Sequence, residues 1–314
     1  MIVVTGGAGF IGSNLVHELN ARGREDIVVV DDLSDGRKFV NLAGSTVADY
    51  YDKDEFLALV AARSPRLQSL DVVYHLGACS DTTEWNGRYM LDANFRYSRE
   101  LFDFCQERAI PFVYASSAAV YGGSTEFAET PACEHPLNVY GYSKLLFDQY
   151  VRRFLAAPRA RVCGLRYFNV YGPREQHKGR MASIAFHTNR QLKEQGVVKL
   201  FGASHGCPPG GQKRDFVSVY DAVKVTLWCG TDATVSGIFN CGTGRAETFN
   251  AVGEAVLGWH ATGRIEYIPF PEDLTGAYQA YTQADLSRLR AAGYAEPFLD
   301  VAAGTRRYLD WLNG

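Results

Sequence analysis

The stretch "TGGAGFIG", residues 5–12, constrains this chain more than any other. It follows the apolar run "MIVV" and opens "FIGSNLVHELNARG", whose apolar residues recur at helical spacing before a terminal glycine. Gly6, Gly9 and Gly12 sit three apart, and Gly7, Gly9 and Gly12 also satisfy G-x-G-x-x-G. Glycines between a strand and a helix allow a tight turn and let a ligand approach the backbone closely. The free N–H groups of the helix N-terminus then suit a pyrophosphate. An acidic pair, Asp31 and Asp32, ends the next apolar run, "DIVVVDD". It falls about twenty residues on, the spacing at which a carboxylate reaches an adenosine ribose. In this setting the turn reads as a dinucleotide site rather than an ordinary glycine-rich bend. The acidic pair favours NAD, whereas Arg37 and Lys38 in "SDGRKFVNL" can hold a 2′-phosphate and favour NADP; a solvated charged loop is the third reading. Asp49 and Tyr50 end a further short run where adenine contacts would lie, and "HLGACS" passes near the phosphates, with His75 structural.

Strand-like and helical patterns alternate through the first half. "DVVYHLGA", "PFVYASSAAVYG" and "RVCGLRYFNVYG" are nearly continuous apolar runs, as expected of strands buried on both faces. "YMLDANFRYSRELFDFCQER" and "YGYSKLLFDQYVRRFLA" are the helical segments between them. This rhythm predicts an α/β fold: a doubly wound parallel, Rossmann-type sheet with right-handed crossovers. After about residue 170 the rhythm breaks into loops around one helix, returns to strand at "GIFNCGTG", and ends in an irregular then helical tail. The expected division is a dinucleotide-binding domain over residues 1–168 with 216–244, and a smaller α/β substrate-binding domain over 169–215 with 245–314. "CPPGG" is expected to be a mobile surface loop.

Composition prunes the function classes. A net charge of −3 and scattered Arg and Lys give no nucleic-acid groove. Seven cysteines include no C-x-x-C pair and sit mostly in apolar runs, as in "LGACS", "DFCQ" and "RVCGL"; they read as reduced thiols of a cytoplasmic protein. No His/Cys spacing points to a metal. The chain opens directly on a strand and holds no apolar run long enough for a bilayer, so neither a signal peptide nor a membrane partner is expected.

The segment "NVYGYSK" places Tyr140 four residues before Lys144, on one face of a helix. An ammonium beside a phenol lowers its pKa and makes a usable general acid or base. The spacing alone is weak, since Tyr220 and Lys224 repeat it. Context separates the two pairs. Tyr140 follows a strand that ends in Ser116 and Ser117, at the carboxyl edge where open α/β sheets bind ligands. Tyr220 follows no such serines and begins a helix.

The "GGAGFIG" turn, "ASSAAVYG", "YGYSK", "RYFNVYGP" and "RDFVSVYD" together resemble the extended short-chain dehydrogenase/reductase family, over essentially the whole chain. The stretches "DGRKFVNL", "GACSDTTEWNG", "KGRMASIAFH", "GIFNCGTGRAETF" and "YQAYTQADL" are similar to the branch of epimerases that acts on ADP-heptose. The resemblance implies inversion at C6 of the heptose, by oxidation to a ketone and re-reduction with tightly bound NADP, one per subunit. It also implies a homopentamer and a place in making lipopolysaccharide inner-core precursor. By this resemblance Tyr140 serves one face of the sugar carbon and Lys178 the other, Ser117 orients the substrate, and Lys144 tunes Tyr140 and holds the cofactor. Gly6, Gly9, Phe10, Ile11, Gly12, Asp31, Asp32, Lys38, Lys53, Leu76, Gly77, Ala78, Cys79, Ser80, Asn94, Lys144, Val170 and Lys178 fall at cofactor positions. Ser117, Asn169, Arg180, His187, Phe201, Gly202, Ala203, Ser204, Arg214 and Tyr278 fall at substrate positions, with Arg214 suited to a diphosphate.

Two departures from the pattern stand out: the segment from Ser204 to Arg214 is long, and Arg180 replaces a smaller polar residue. Ala118 and Ala119 stand where related dehydratases carry an Asp-Glu pair, which argues against elimination chemistry. The competing readings are a UDP-hexose 4-epimerase or a sugar-nucleotide reductase on the same scaffold. A non-catalytic dinucleotide sensor is disfavoured by the complete Ser117, Tyr140 and Lys144 set.

Overall fold

The computed structural model describes residues 1–271 and 279–314. Its centre is a sheet of seven parallel strands. In chain order the elements run β1 (Ile2–Thr5), α1 (Phe10–Ala21), β2 (Ile27–Asp31), β3 (Asp49–Asp52), α2 (Lys53–Ala61), β4 (Val72–His75), α3 (Gly87–Leu91), α4 (Tyr97–Glu107) and β5 (Phe112–Ser117). They continue with α5 (Val139–Arg152), β6 (Val162–Tyr167), β7 (Asn169–Tyr171), α6 (Ile184–Gln195), β8 (Val197–Phe201), β9 (Lys213–Arg214), β10 (Phe216–Ser218) and α7 (Val219–Thr231). The last are β11 (Gly237–Cys241), β12 (Glu247–Thr248), α8 (Phe249–His260), β13 (Arg264–Ile268), α9 (Ser287–Ala291) and α10 (Val301–Asn313).

The large sheet has the order β11-β6-β5-β4-β1-β2-β3, so the chain winds outward from β1 in both directions. Its central strands are Val- and Ile-rich, and every residue of β1, β2, β4 and β6 is buried. Successive side chains point to opposite faces and feed two cores. Ile2 and Val4 pack with α1 and α7 on one side; Val3 and Val28 pack with α2, α4 and α5 on the other. The register is in step, with Val4 opposite both Val29 and Tyr74. The carboxyl ends of β1, β2, β4 and β5 therefore open on one edge, beside the strand-order reversal at β1 and β4.

Two details depart from the periodicity. The long helix expected across "YMLDANFRYSRELFDFCQER" is interrupted by a π-turn over Asp92–Arg96, between α3 and α4. At its centre buried Asn94 makes tertiary hydrogen bonds to both backbone groups of Cys79 and to the Ser143 hydroxyl. Among its described residues the irregular second half holds the two-stranded ladders β10 with β7, β12 with β9 and β13 with β8, two to five residue pairs long. "CPPGG" is a bonded turn: the Gly210 and Gly211 amides donate to Phe201 and Pro208, and Asn250 caps Pro209. Among the described residues no helix is long and apolar enough to cross a membrane, and no His, Cys, Asp and Glu group could hold a metal.

The glycine turn is as tight as its composition demands. A Cβ on Gly12 would lie 2.1 Å from the Gly6 carbonyl oxygen, and Gly6 itself has φ +67°. Gly12→Ala therefore has to push β1 and α1 apart. We expect it to cost about 1–3 kcal/mol, as overpacking does, read by urea denaturation, together with loss of dinucleotide binding in a titration.

Candidate active site

The sheet edge carries a cleft of about 800 Å³ whose lining includes Gly6, Gly9, Phe10, Ile11 and Gly12 of the first turn. Asp31 and Asp32 reach it from the end of β2, but they do different things. The Asp31 carboxylate accepts from the Ala8 amide at 2.8 Å, the Asp32 amide at 2.7 Å and the Lys38 ammonium at 2.6 Å. Asp31 thus braces the glycine turn. Asp32 is half-exposed and pairs with Lys53 at 2.8 Å, which holds its carboxyl well below the usual carboxylate range. Lys38 and Lys53 both line the cleft, whereas Arg37 turns outward to Asp35. The far wall is Leu76, Gly77, Ala78, Cys79 and Ser80, beyond the end of β4. Asn94 sits behind that wall, fully buried, so it supports the Cys79 backbone instead of facing the cleft as expected. His75 bridges Thr5 and Ser98, and burial lowers its pKa to about 3, which fits a structural neutral imidazole.

Ser117 ends β5, and its hydroxyl accepts from the Ala119 amide at 3.1 Å. Helix α5 begins opposite it, with the Asn138 side chain capping the Gly141 amide. Glycine at 141 is what lets the helix come so near, because a Cβ there would lie 2.6 Å from the Ala119 carbonyl oxygen. Tyr140 is thereby set against the Ser117 hydroxyl, and Lys144 lies one turn below, in the same cleft. The expected depression of the Tyr140 pKa does not occur. Burial raises it, the Ser117 hydrogen bond offsets part of that, and Lys144 makes no contribution. The Lys144 ammonium is instead directed to the Ala115 carbonyl at 2.9 Å, and its own burial lowers it to about 8.

Lys178 approaches from the opposite side, on a turn over Gln176–Met181. Its ammonium lies 5.2 Å from the centre of the Phe10 ring, and burial lowers its pKa. Val170 and His177 line the cleft with it. Not every expected residue joins them. Asn169 is exposed on β7. Arg180 is exposed and bonds Thr83 and Asp81, and His187 faces the Arg180 carbonyl at 3.3 Å. Phe201, Gly202, Ala203, Ser204 and Arg214 are not among the residues that line the cleft: Gln212 donates to the Gly202 carbonyl and the Ser204 hydroxyl, and the Arg214 guanidinium lies 5.8 Å from the centre of the Phe249 ring. Tyr278 lies outside the described residues.

A family-wide comparison matches residues 2–242 to the NAD dependent epimerase/dehydratase family. The chain belongs to that family. It is 63% identical, over 99% of its length and 97% of the relative's, to the ADP-L-glycero-D-manno-heptose-6-epimerase of Alkalilimnicola ehrlichii. The crystal structure of the Helicobacter pylori ADP-L-glycero-D-manno-heptose-6-epimerase is similar at a TM-score of 0.85 and 29% identity, covering 100% of this chain and 96% of that one. MoeE5 in complex with UDP-glucose and NAD is similar at 0.79 and 26%, covering 99% and 98%.

For this epimerase/dehydratase, sequence reasoning missed two features. Tyr89, Asp92, Ala93, Arg96 and Glu100 also line the cleft. They run from α3 through the π-turn into α4, so no single helical period marks them in the sequence. The second is a buried charge network behind Ser117. Asp148 accepts from Tyr114 at 2.8 Å, Ser116 at 3.0 Å and Arg166 at 2.9 Å; Arg166 and Arg152 also bond Glu134. Asp148 lies two helical turns below Tyr140, so the network ties the ends of β5 and β6 to α5.

The buried Lys144 ammonium is held at a cost to the fold. Burial takes Lys144 from the ordinary lysine value of 10.5 to about 8. Below pH 8 the folded chain carries the full penalty of a buried ammonium. Between about 8 and 10.5 the unfolded chain binds the extra proton, so wild-type stability rises with pH. Lys144→Met is thus expected to stabilise the dinucleotide-free protein at pH 7 by about 2–3 kcal/mol. That gain should shrink as the pH climbs through 8 to 10, measured by urea denaturation across the range.

Proposed function

We propose that this chain inverts C6 of ADP-D-glycero-β-D-manno-heptose to the L-glycero epimer. The sugar is oxidised to a ketone and re-reduced from the other face, with no net redox change. One observation carries the reading: Tyr140 and Lys178, proton carriers from different elements, line a single cleft beside the glycine turn. The near-complete match to an enzyme of that name supports the choice of substrate.

The cleft fits a dinucleotide. The turn leaves no room for a Cβ at Gly12, the Phe10, Ile11 and Gly12 amides that open α1 have no intrahelical acceptor and suit an anion, and Asp32 stands at the end of β2. When bound, a nicotinamide dinucleotide supplies the acceptor and donor of hydride. Gly6, Gly9, Phe10, Ile11 and Gly12 would hold its phosphates and Asp32, Lys38 and Lys53 its adenosine ribose. The two lysines favour NADP, with NAD the alternative. Ser117 orients the reacting hydroxyl, and Tyr140 takes and returns its proton. Burial favours the protonated phenol, the form that returns a proton to a ketone oxygen; taking the hydroxyl proton calls for the phenolate, which a cationic oxidised nicotinamide bound beside it would favour. Lys178, with its pKa lowered by burial, is suited to serve the opposite face. Ala118 and Ala119 offer no acid or base after Ser117, so elimination has no catalyst there. The Arg214 and Phe201 group is the proposed seat of the ADP moiety. We further propose a homopentamer in the cytoplasm, supplying lipopolysaccharide inner-core precursor.

The test is NMR of the purified protein with ADP-D-glycero-β-D-manno-heptose and no added cofactor. C6 should invert to an equilibrium mixture, and steady consumption of added NADPH would instead indicate a reductase. Tyr140→Phe should lower kcat by about 10²–10⁴-fold. Lys178→Met should cripple epimerisation while the dinucleotide stays bound, as judged by its absorbance after denaturation. Full activity in that variant would remove Lys178 from the mechanism.

A further inference from the structure

Lys178 sits in the middle of a loop whose ends are firmly tied. At the near end, Asn14 of α1 donates to the Pro173 carbonyl at 2.8 Å and accepts from Arg174 at 3.0 Å. At the far end, the fully buried Glu175 carboxylate accepts from the Ser183 amide at 2.5 Å, its hydroxyl at 2.6 Å and the Gly172 amide at 3.3 Å. Between these anchors the backbone is permissive, with Gly179 at φ +53°. Two side chains flanking Lys178 reach out to hold it. Arg180 extends to Asp81 and Thr83, but its side chain is 70% exposed, and such surface pairs contribute little. His177 reaches the other way, to Asn41 at 3.1 Å.

Asn41 is the unusual partner. It closes the short helical turn Gly36–Asn41, which carries Lys38, and it is only 3% exposed. The same amide nitrogen that meets His177 Nδ1 donates to the Ala8 carbonyl of the glycine turn at 2.9 Å. That carbonyl fixes the orientation of the amide, so His177 Nδ1 must be the acceptor and its proton must reside on Nε2. Burial, with Lys38 and Lys178 nearby, lowers the His177 pKa and keeps the imidazole in that neutral form; Asp31 opposes them. Asn41 is not among the residues that line the cleft, and its backbone carbonyl is occupied by His17 at 3.2 Å.

We propose that Asn41 is a positioning residue for Lys178: its side chain locks the His177 end of the lysine turn to the phosphate-binding turn and to the loop that carries Lys38. The placement of the second proton carrier is thereby tied to the two segments expected to grip the dinucleotide. This rests on the reading of Lys178 given under Proposed function.

The experiment is a double-mutant cycle of Asn41→Leu with Lys178→Met. It is run at saturating NADP and followed by NMR long enough to measure the slow variants. A displacement of about 1 Å can cost 10²-fold, so Asn41→Leu alone should lower kcat at least tenfold. In the Lys178→Met background the same change should cost less than twofold, because a residue that acts through Lys178 has nothing left to position. A second readout needs no turnover: labelling of Lys178 by an amine-reactive ester, measured by peptide mass spectrometry on the dinucleotide-free chain, should rise several-fold in Asn41→Leu. Equal losses in both backgrounds, wild-type kcat, or unchanged labelling would overturn the proposal. If Asn41→Leu does not fold, His177→Ala, which spares the bond to Ala8, must show the same non-additivity and the same rise in labelling. Full activity of Lys178→Met alone would defeat the reading of Lys178 instead, and the labelling would still show whether Asn41 holds the turn.

Discussion

The carboxylate of Asp148 is the point on which the arrangement of the cleft depends. It has no exposed surface, and it gathers Tyr114 and Ser116 from β5 and Arg166 from β6 onto helix α5. Arg166 continues to Glu134, which lies just before α5, and Arg152 near the end of that helix closes the circuit. Two arginines and two carboxylates balance in charge, but burying them is not a bargain in stability: an apolar set of the same shape often does as well or better. What the network provides is register. Each bond is directional, so α5 cannot slide or rotate against β5 without leaving a charge unpaired. Because Ser117 follows Ser116 and Tyr140 and Lys144 precede Asp148 on one helix face, that register also sets the distances among the three residues proposed to handle the substrate hydroxyl.

The same economy governs the electrostatics of the cleft. Tyr140, Lys144, Lys178 and His177 are all shifted toward their neutral forms, and in each the largest cause is burial. Asp32 is treated oppositely: Lys53 holds its carboxyl in the charged form where a ribose is expected, and Asp31 beside it is fixed in place by three hydrogen-bond donors. A cleft divided this way suits proton transfer at one end and hydrogen bonding to a polar ligand at the other.

Much of this was legible in the sequence, for reasons that differ by element. The central strands announced themselves because both of their faces are buried, which leaves long apolar runs such as "IVVV" with no polar alternation. The glycine turn was legible because no other residue fits at Gly12. Tyr140 and Lys144 were legible from context, since two serines at a strand end give the pair a reason to be there. The direction of the Tyr140 pKa was not, because adjacency on a helix says nothing about where an ammonium points; here it points to the Ala115 carbonyl. Nor was the role of Asn94, whose polar side chain, at the centre of the π-turn, holds a loop. The Asp148 network was hidden because its members lie in four segments far apart in sequence, each unremarkable alone. Arg214 and Phe201 belong to ladders two to five residues long, where pairing comes from tertiary contact and not from pattern.

The two proposed proton carriers are supported in unlike ways, and the difference follows from where each sits. Tyr140 is on a regular helix, capped by Asn138 and locked by a network with almost no solvent contact. Lys178 is on a turn with a left-handed glycine next to it, held by a neutral imidazole on one side and an exposed arginine on the other. A rigid mount suits the group that must meet the same hydroxyl each time. The Lys178 turn is held instead through its His177 end, by way of buried Asn41, to the carbonyl of Ala8 in the glycine turn. Tyr140 is therefore registered to the sheet through α5 and Lys178 to the segment proposed to hold the phosphates. Two independent supports place the two proposed carriers in one cleft, so a change that disturbs the Asp148 network need not disturb the lysine turn, nor the reverse.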